Sequence, residues 1–544
     1  MSTHALHPVP RRTVLSVPLL VGLGILAGCS EEPTGAGPSA GPTAAGAGTA
    51  ILPVASPTAR DSGGVGFERL EDVVCGTVLT DVSIGPLLRV DDSTTILPLT
   101  ATVEQDSPLG TPFNPMLTWV GNDSSSFLGD ADLRVLDPAT NRVWRPAHTD
   151  YVPVLAEEGQ PGTAHVVLGG IDASTVTVLL RQTAIVEVQV IGIDEAPEDL
   201  VPADLDVEAL LAQAVVDEAR KAPLQLEHYS EAVDGSSGVI TGGANLTVLL
   251  SGDVTFDPDS AALSAEADVV LEDLVALLEE YPDGGTLDIT GHTDDVADEA
   301  HNLTLSQQRA QAVSDRLSAM TDLSAWTVTS TGKGETEPRV DNVDDASRAV
   351  NRRVEVVATP SAGVLGADPV LAASSAEPPE ATGPSAPGPQ GVAVTDEESG
   401  ATVTIALQRV VRRGNLLLGV VDVLADTDVT DFADLNNWFG TPEDFYHLRG
   451  QLWPGSTTVA GGLTLLAGDR RVFPVEYVVP DSGHAVPVTE LNLYDPLPEG
   501  AGTRVCVAWP DTGQDTVVVD RLIPEGSTFR YPSWRLTEVP VESD

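Results

Sequence analysis

The sequence has very little positive charge. Among 544 residues there are 28 Lys plus Arg against 81 Asp plus Glu, which gives a formal net charge of -53 at pH 7 and a pI of about 4.1. Lysine occurs only at Lys221 and Lys333. A surface with this balance repels phosphate backbones and anionic lipid headgroups. Nucleic acid is therefore not expected as a partner, and the acidity indicates a well-solvated surface.

Cysteine is also scarce. The three cysteines, Cys29, Cys75 and Cys506, lie in different parts of the chain. Whether Cys75 and Cys506 pair stays open, and a separate buried thiol in each of two domains is the favoured interpretation. No Cys/His spacing is typical of a zinc site, and no nucleophile elbow or P-loop occurs in the sequence. The sequence predicts no metal, no cofactor and no enzymatic activity.

The N-terminus has the features of an export signal. Two arginines precede an apolar run from Val14 to Ala27, and Cys29 follows. The run is shorter than the ~20 residues of a membrane-spanning helix. "LAGC" resembles the bacterial lipobox, in which the cysteine is lipidated and becomes the mature N-terminus. We expect a signal peptide at 1–28, a lipid on Cys29 and a flexible tether at 29–62, with export by either the Sec or the Tat route.

Strand-like runs separated by Gly, Pro, Asn and Asp flank a different middle segment. Leu87–Val103 aligns without a gap with Leu407–Val423, and two later pairs of segments follow in the same order. This recurrence predicts two β-sandwich, Ig-like domains related by duplication. After the tether, we predict a β-sandwich at 63–195, a helical connector at 196–243, an α/β domain at 244–360, a Pro/Ala/Ser-rich linker at 361–390 and a second β-sandwich at 391–544. The linker composition predicts that the domains move independently.

In the middle domain the hydrophobic pattern alternates between strands and helices. Apolar residues from Val270 to Tyr281 recur at helical spacing, with Ser264 as the predicted N-cap. A second helix is predicted to begin at Thr304, where Thr304 and Gln307 form a capping box. With four strands around them, these helices predict a βαβαβαβ-type layer with a mixed sheet.

Five short motifs in this domain identify a family. "FDPDSAALS", "ITGHTDD", "NLTLSQQRAQAV", "STGKGETEP" and "NRRVEVV" occur in order. In order and spacing they resemble the OmpA-like peptidoglycan-binding domain, and the resemblance covers Thr247 to Ala358. It implies an α/β fold and non-covalent binding of the peptide stem of peptidoglycan through meso-diaminopimelate.

Asp294 and Arg309 are the central residues of the expected site. Diaminopimelate ends in a centre that bears both an ammonium and a carboxylate. Asp294 can accept hydrogen bonds from the ammonium, and Arg309 can bind the carboxylate through two parallel N–H bonds. A lysine-containing stem lacks this carboxylate, so Arg309 would be desolvated without a partner. By resemblance, the other peptidoglycan-binding residues are Thr293, Asn302, Leu303, Asp257 and Arg352.

Two other interpretations of this region were weighed. A structural ion pair between Asp294 and Arg309 is the alternative to a ligand site. His292 and His301 lie near Asp294 in the sequence, but a third metal ligand at suitable spacing is missing, so core or solvent roles are predicted for both. The acidic residues that follow Asp294 favour an ammonium and oppose carboxylates.

The sequence predicts an exported lipoprotein on the extracytoplasmic face of the membrane. The lipid on Cys29 would anchor it, and the middle domain would bind peptidoglycan, so that the protein links membrane to cell wall. The alternative is an extracytoplasmic adhesin or assembly protein that acts through protein partners of its β-sandwiches, with the middle domain as a spacer.

Overall fold

The structure is a computed structural model that describes most of the chain after residue 66. The described residues are 67–75, 78–103, 133–147, 161–180, 183–257, 259–363, 377–429, 435–440, 459–480, 483–489, 497–521 and 532–543. The predicted signal peptide, Cys29 and the tether lie outside these residues, as does the central part of the predicted linker. Across the ranges given above, no helix is both long enough and apolar enough to cross a membrane.

Ten strands form the N-terminal β-rich region. They are β1 (Glu68–Cys75), β2 (Val78–Ile84), β3 (Leu87–Asp91), β4 (Thr94–Val103), β5 (Arg134–Asp137), β6 (Arg142–Trp144), β7 (Pro161–Gly169), β8 (Thr175–Leu180), β9 (Ala184–Gly192) and β10 (Leu224–Gln225). The strands hydrogen-bond in the order β1-β2-β4-β3-β9-β8-β5-β6-β10, and β7 pairs with β4. Residues alternate between buried and partly exposed along β9, because successive side chains of a strand point to opposite faces. The buried residues form an apolar core around Trp144.

The segment predicted as a helical connector, 196–243, contains a single short α-helix, α1 (Val207–Gln213), and one short 3₁₀ helix, Glu218–Lys221. Its second half is extended instead. After β10, strands β11 (Glu227–Ala232) and β12 (Ser237–Gly242) form an antiparallel hairpin. The extended form is stabilised because β11 has hydrogen-bonding partners along both edges, one of them far away in the sequence. A local sequence pattern does not contain that information.

The middle domain is a mixed sheet with its two long helices on one face. Its further elements are β13 (Asn245–Ser251), α2 (Gly252–Thr255), α3 (Ala267–Glu279), β14 (Gly285–His292), α4 (Glu299–Met320), β15 (Trp326–Gly334), α5 (Asp345–Asn351) and β16 (Arg353–Pro360). The strands lie in the order β11-β12-β13-β16-β14-β15, and only β14 and β15 are parallel. Apolar residues of α3 and α4 pack with those of β13, β14 and β16 in one core. The mixed α/β prediction for this domain is confirmed.

The helix α4 begins five residues before the predicted start. Asp298 caps it, with Oδ1 accepting from the backbone N–H of His301 at 3.0 Å. Thr304, assigned to a capping box, instead donates its hydroxyl to Ala300 O inside the helix, at 2.8 Å. Gln307 accepts from a backbone N–H of β15 and donates to a β15 carbonyl. The capping-box prediction is wrong because an acidic cap was available further upstream.

Within the described residues, twelve strands and one short α-helix form the C-terminal β-rich region, beside a 3₁₀ helix at Gly388–Gln390. They are β17 (Ser385–Pro387), β18 (Val392–Thr395), β19 (Thr402–Ala406), β20 (Val410–Arg413), β21 (Leu416–Ala425), α6 (Asn436–Phe439), β22 (Thr464–Ala467), β23 (Arg470–Val472), β24 (Glu476–Val478), β25 (Ala485–Pro487), β26 (Gly502–Pro510), β27 (Thr516–Arg521) and β28 (Trp534–Ser543). Three buried tryptophans in its core, Trp438, Trp509 and Trp534, each donate the indole N–H to a backbone carbonyl. These bonds offset the cost of burying the indole nitrogen.

The two β-rich regions share one pattern of strand pairing. The N-terminal pairs are β1–β2, β2–β4, β3–β4, β4–β7, β3–β9, β8–β9, β5–β8 and β5–β6. In the same order, the C-terminal pairs are β18–β19, β19–β21, β20–β21, β21–β26, β20–β28, β27–β28, β22–β27 and β22–β23. The fifth pair is parallel in both regions and the others are antiparallel. The hairpins β3–β4 and β20–β21 contain most of the two segments that align without a gap in the sequence.

The strand β11 joins the middle domain to the C-terminal region. One edge pairs with β12 and the other with β23, where Ser230 lies opposite Val472 and Phe473 N donates to Tyr229 O at 3.0 Å. A further apolar cluster contains residues of both β-rich regions together with Leu226. Although the linker composition predicts independent domains, the sheet runs without a break from β22 through β11 to β15.

Candidate functional site

The sequence after β14 places Asp294 beside the N-terminal half of α4. At Gly291 in β14, an added Cβ would lie only 2.1 Å from the carbonyl oxygen of Ser306 in α4. At Gly332 in β15, an added Cβ would lie 2.4 Å from Gln307 N. Two glycines therefore let the helix approach the sheet more closely than any other residue would permit. This close packing fixes where the next turn of α4 presents its side chains.

Arg309 lies in that next turn and is only 5% exposed. Its Nε donates to Ser260 O at 2.9 Å, and its Cζ lies 5.0 Å from the centroid of the Phe256 ring. Among the described residues, Nη1 and Nη2 have no hydrogen-bond acceptor within range. A guanidinium has five N–H donors, and leaving donors of a buried charge without a partner is costly. The Arg309 side chain is thus held in place at Nε while its terminal nitrogens remain available.

Asp294 is bonded to Arg352 rather than to Arg309. Arg352 Nη1 donates to Asp294 Oδ2 at 2.7 Å, and Val296 N donates to Oδ1 at 3.3 Å. The same guanidinium donates from Nε and Nη2 to the two carboxylate oxygens of Asp253, at 2.6 Å each. Within the described residues, no ion pair joins Asp294 to Arg309, so the structural ion pair weighed as an alternative is not formed. Arg352 instead positions two carboxylates at once.

The two guanidiniums differ in the direction of their pKa shifts. Burial lowers the pKa of Arg309, while the nearby carboxylates of Asp253, Asp259 and Asp294 oppose that shift. The hydrogen bonds to Asp253 raise the pKa of Arg352, and those to Asp294 add to the effect. Since the ordinary pKa of an arginine lies far above neutral pH, both side chains are charged at pH 7. The site therefore presents one buried cation whose terminal nitrogens are available and one cation whose charge is paired with two carboxylates.

The other predicted residues take different positions around this pair. Thr293 is buried at the end of β14, and its hydroxyl has no partner among the described residues. Asn302, also buried, donates from Nδ2 to Asp294 O at 3.1 Å and to Glu335 Oε2 at 2.6 Å, which fixes the loop. Leu303 is half exposed. Asp257 is exposed and belongs to the turn that also contains Ser260.

The acidic residues after Asp294 have structural partners. Asp295 accepts from Arg348 Nε at 2.9 Å, and Asp298 is the N-cap of α4. His292 is 2% exposed, and burial lowers its pKa to about 4. His301 bonds through Nε2 to Asp259 Oδ1 at 3.0 Å. In the part of the chain that the structure describes, no group of three His, Cys, Asp or Glu residues is placed to hold a metal.

Sequence reasoning missed two contributors to the site, Asp253, which pairs with Arg352, and Phe256, which lies under the Arg309 guanidinium. Ser260, whose carbonyl accepts from Arg309 Nε, lies in the turn 257–260, where the resemblance implies contact with the peptide stem. Phe256 and Ser260 both lie in "FDPDSAALS", so the motif contained the signal. Asp253 lies outside all five motifs, and only the fold brings it to the site.

Comparison with known proteins assigns this part of the chain. Residues 255–352 match the OmpA family. This segment is an OmpA-like domain. The chain is 37% identical over 103 residues to outer membrane porin F of Pseudomonas aeruginosa (19% of this chain, 29% of the porin). The probable lipoprotein YiaD of Escherichia coli is 32% identical over 122 residues (22% of this chain, 55% of that protein).

A third relative is the peptidoglycan-binding protein ArfA of Mycobacterium tuberculosis, 32% identical over 112 residues (21% of this chain, 34% of ArfA). None of the three is named as an enzyme. The chain spans between about a third and about half of the length of these relatives. Among solved structures, the cell wall anchor of the T6SS from Pseudomonas aeruginosa is similar at 32% identity, covering 23% of this chain and 89% of that one, with a TM-score of 0.21.

Proposed function

We propose that the OmpA-like domain binds peptidoglycan non-covalently, through the diaminopimelate of its peptide stem. The observation that carries this proposal is the Arg309 guanidinium, which is buried, held at Nε, and has two terminal nitrogens without an acceptor among the described residues. A carboxylate fits such a pair of parallel donors. A relative named as a peptidoglycan-binding protein is 32% identical to this chain over 112 residues.

The second half of the ligand centre, its ammonium, would bind Asp294. Arg352 occupies Asp294 Oδ2, and Oδ1 has only a 3.3 Å contact from a backbone N–H. The Asp294 carboxylate therefore keeps acceptor capacity for an ammonium, and Arg352 and Asn302 hold it in place. Two oppositely charged groups on separate elements then recognise one zwitterion, with no role for a catalytic group.

We also propose that the protein is exported and anchored to the membrane by a lipid on Cys29. The support is the "LAGC" motif after a short apolar run, together with a relative named as a probable lipoprotein. An anchor at one end and a wall-binding domain further along make the protein a link between membrane and cell wall. The two β-rich regions, as β-sandwiches, would recruit protein partners.

Sedimentation with isolated diaminopimelate-type sacculi tests the wall-binding proposal. The full-length chain is expected to sediment with the sacculi, and Arg309→Ala or Asp294→Ala should lower the affinity by at least ~30-fold, because a buried charge-assisted contact is worth roughly 2–5 kcal/mol. Sacculi with lysine in place of diaminopimelate should bind the unmodified chain equally weakly.

Arg316→Ala is the matched control. Arg316 lies on the same helix, is surface-exposed and pairs with Asp268 at 2.7 Å, so its removal should leave binding unchanged. Circular dichroism and thermal unfolding of every variant show whether the fold is retained. Folded Arg309→Ala and Asp294→Ala proteins that still bind like the unmodified chain would refute the proposal.

A further inference from the structure

The charges around Arg309 are unbalanced. Its electrostatic neighbours are the carboxylates of Asp253, Asp259 and Asp294 and the guanidinium of Arg352. Three acids therefore face two guanidiniums, and the exposed Asp257 lies in the adjacent turn. Asp253 and Asp259 face solvent, so the effect of their carboxylates on a charge that enters the site is strongest at low ionic strength.

Hydrogen bonding makes the imbalance larger for an incoming ligand. Arg352 forms ion pairs with both Asp253 and Asp294, so its charge is already paired with two carboxylates. Asp259 has a side chain that is 78% exposed, and its described partner is His301. A ligand thus meets one cation that is not paired with a carboxylate among the described residues, Arg309, while Asp259 and Asp294 both present acceptors.

The buried Arg309 distinguishes this site from a surface that is only acidic. It is 95% buried and its terminal nitrogens have no acceptor among the described residues, so the site is built to take one carboxylate. Any further carboxylate of the same ligand would approach Asp257 and Asp259 without a cation to receive it. Like charges at such range repel and cost affinity, the more so at low ionic strength.

We propose that this site selects peptide stems in which the carboxyl groups other than the one bound by Arg309 are amidated. The inference rests on the proposed wall-binding function and specifies the ligand of that site. A carboxamide keeps the shape and the hydrogen-bonding capacity of the carboxyl group but removes its charge. Selection arises from repulsion of the free acid, which is how binding sites commonly achieve specificity.

Calorimetric titration of the full chain with three synthetic stem peptides tests the inference. All three contain diaminopimelate with a free distal ammonium. In the first all carboxyl groups are free, in the second only the distal diaminopimelate carboxylate is free, and in the third that carboxylate alone is amidated. The second peptide should bind about tenfold more tightly than the first at low salt, and the difference should shrink as ionic strength rises. The third should bind least.

Asp259→Asn should reduce the preference for the second peptide over the first. Asparagine tolerates the left-handed backbone that Asp259 adopts, with φ of 50°, so the change removes charge without adding strain. Asp315→Asn, an exposed carboxylate on α4, is the matched control and should leave the preference intact. Equal affinity for the first two peptides, or tighter binding of the first, overturns the inference while the wall-binding proposal stands. If none of the peptides binds, or if the third binds as tightly as the second, the wall-binding proposal itself fails.

Discussion

At the scale of single residues, the site depends on a glycine without a side chain as much as on its charged residues. The missing side chain at Gly291 brings α4 against β14 and so determines the position of Arg309. Arg352 donates hydrogen bonds to Asp253 and Asp294, whereas the terminal nitrogens of Arg309 have no acceptor among the described residues. Under the wall-binding proposal, Arg309 would bind the ligand and Arg352 would position Asp294, although both side chains carry the same charge.

We predict that Gly291→Ala destabilises the OmpA-like domain by about 3 kcal/mol, because the new methyl group would overlap the Ser306 carbonyl, a backbone atom that cannot rotate away. Affinity for sacculi should fall as well, since α4 carries Arg309. Thermal unfolding and the sedimentation assay measure the two effects. Gly192→Ala is the control, because a Cβ there meets its nearest neighbour at an ordinary 3.4 Å; equal melting temperatures for the two variants would contradict this account.

The motifs indicated the central residues of the candidate site but not all of the partners of those residues. Asp294, Arg309 and Arg352 were predicted from motifs in a fixed frame, and the structure brings Arg352 and Asp294 into direct contact. The ion pair between Arg352 and Asp253 could not be predicted, because it is the pairing of β13 with β16 that places these two residues side by side. Hydrogen bonds between distant segments are a property of the fold and leave no local pattern.

At the scale of elements, the periodicity of apolar residues predicted the buried face of a helix well, whereas the residue at which a helix begins was predicted poorly. The apolar positions from Val270 to Tyr281 are buried as the helical spacing requires, and Ser264 Oγ accepts from Ala267 N at 3.1 Å at the start of α3. The start of α4 was misplaced because two capping signals compete within a few residues. The strand β11 was missed altogether, since one of its pairing partners lies more than two hundred residues away.

The strand β11 also carries a pH-sensitive group. His228 is 1% exposed, its two ring nitrogens have no partner among the described residues, and burial lowers its pKa to about 4. Because the folded state favours the neutral ring, its contribution to stability is complete above about pH 6.5 and is lost as the pH falls towards 4. We predict that the thermal unfolding midpoint drops over this range, with His228 accounting for up to about 3 kcal/mol.

His228→Leu should flatten that pH dependence, because leucine is buried without a titratable group. The measurement is the unfolding midpoint of both proteins at closely spaced pH values between 7.5 and 4. An unchanged slope in the His228→Leu protein would show that other groups are responsible, among them His292, whose pKa burial also lowers to about 4.

At the scale of the whole molecule, two kinds of domain are combined through strand pairing rather than through a linker alone. The shared pairing pattern of the two β-rich regions supports the proposal that they are duplicates. The segment 224–232 pairs with an equivalent strand of each region, since β10 pairs with β6 and β11 pairs with β23. The Arg470 guanidinium strengthens the second junction, donating to Ser237 Oγ at 3.1 Å and lying 3.5 Å from Asp273. The nine-residue segment 224–232 thus contacts both β-rich regions, and its strand β11 begins the sheet of the OmpA-like domain.

This junction predicts that the OmpA-like domain and the C-terminal region bind the wall as one body. Ser230 and Val472 are directly opposite each other in the antiparallel pair of β11 and β23. They form a non-hydrogen-bonded pair, because the neighbouring residues Tyr229 and Phe473 are hydrogen-bonded to each other. The Cβ atoms of a non-hydrogen-bonded pair are close enough for a disulfide. Ser230→Cys combined with Val472→Cys should therefore oxidise readily to an intramolecular disulfide, and the locked protein should bind sacculi with unchanged affinity. Ser230→Cys paired with Val517→Cys, in a strand that does not pair with β11, should not form one. Failure of the first pair to oxidise, or loss of wall binding once it is locked, would mean that the two regions must separate in order to act.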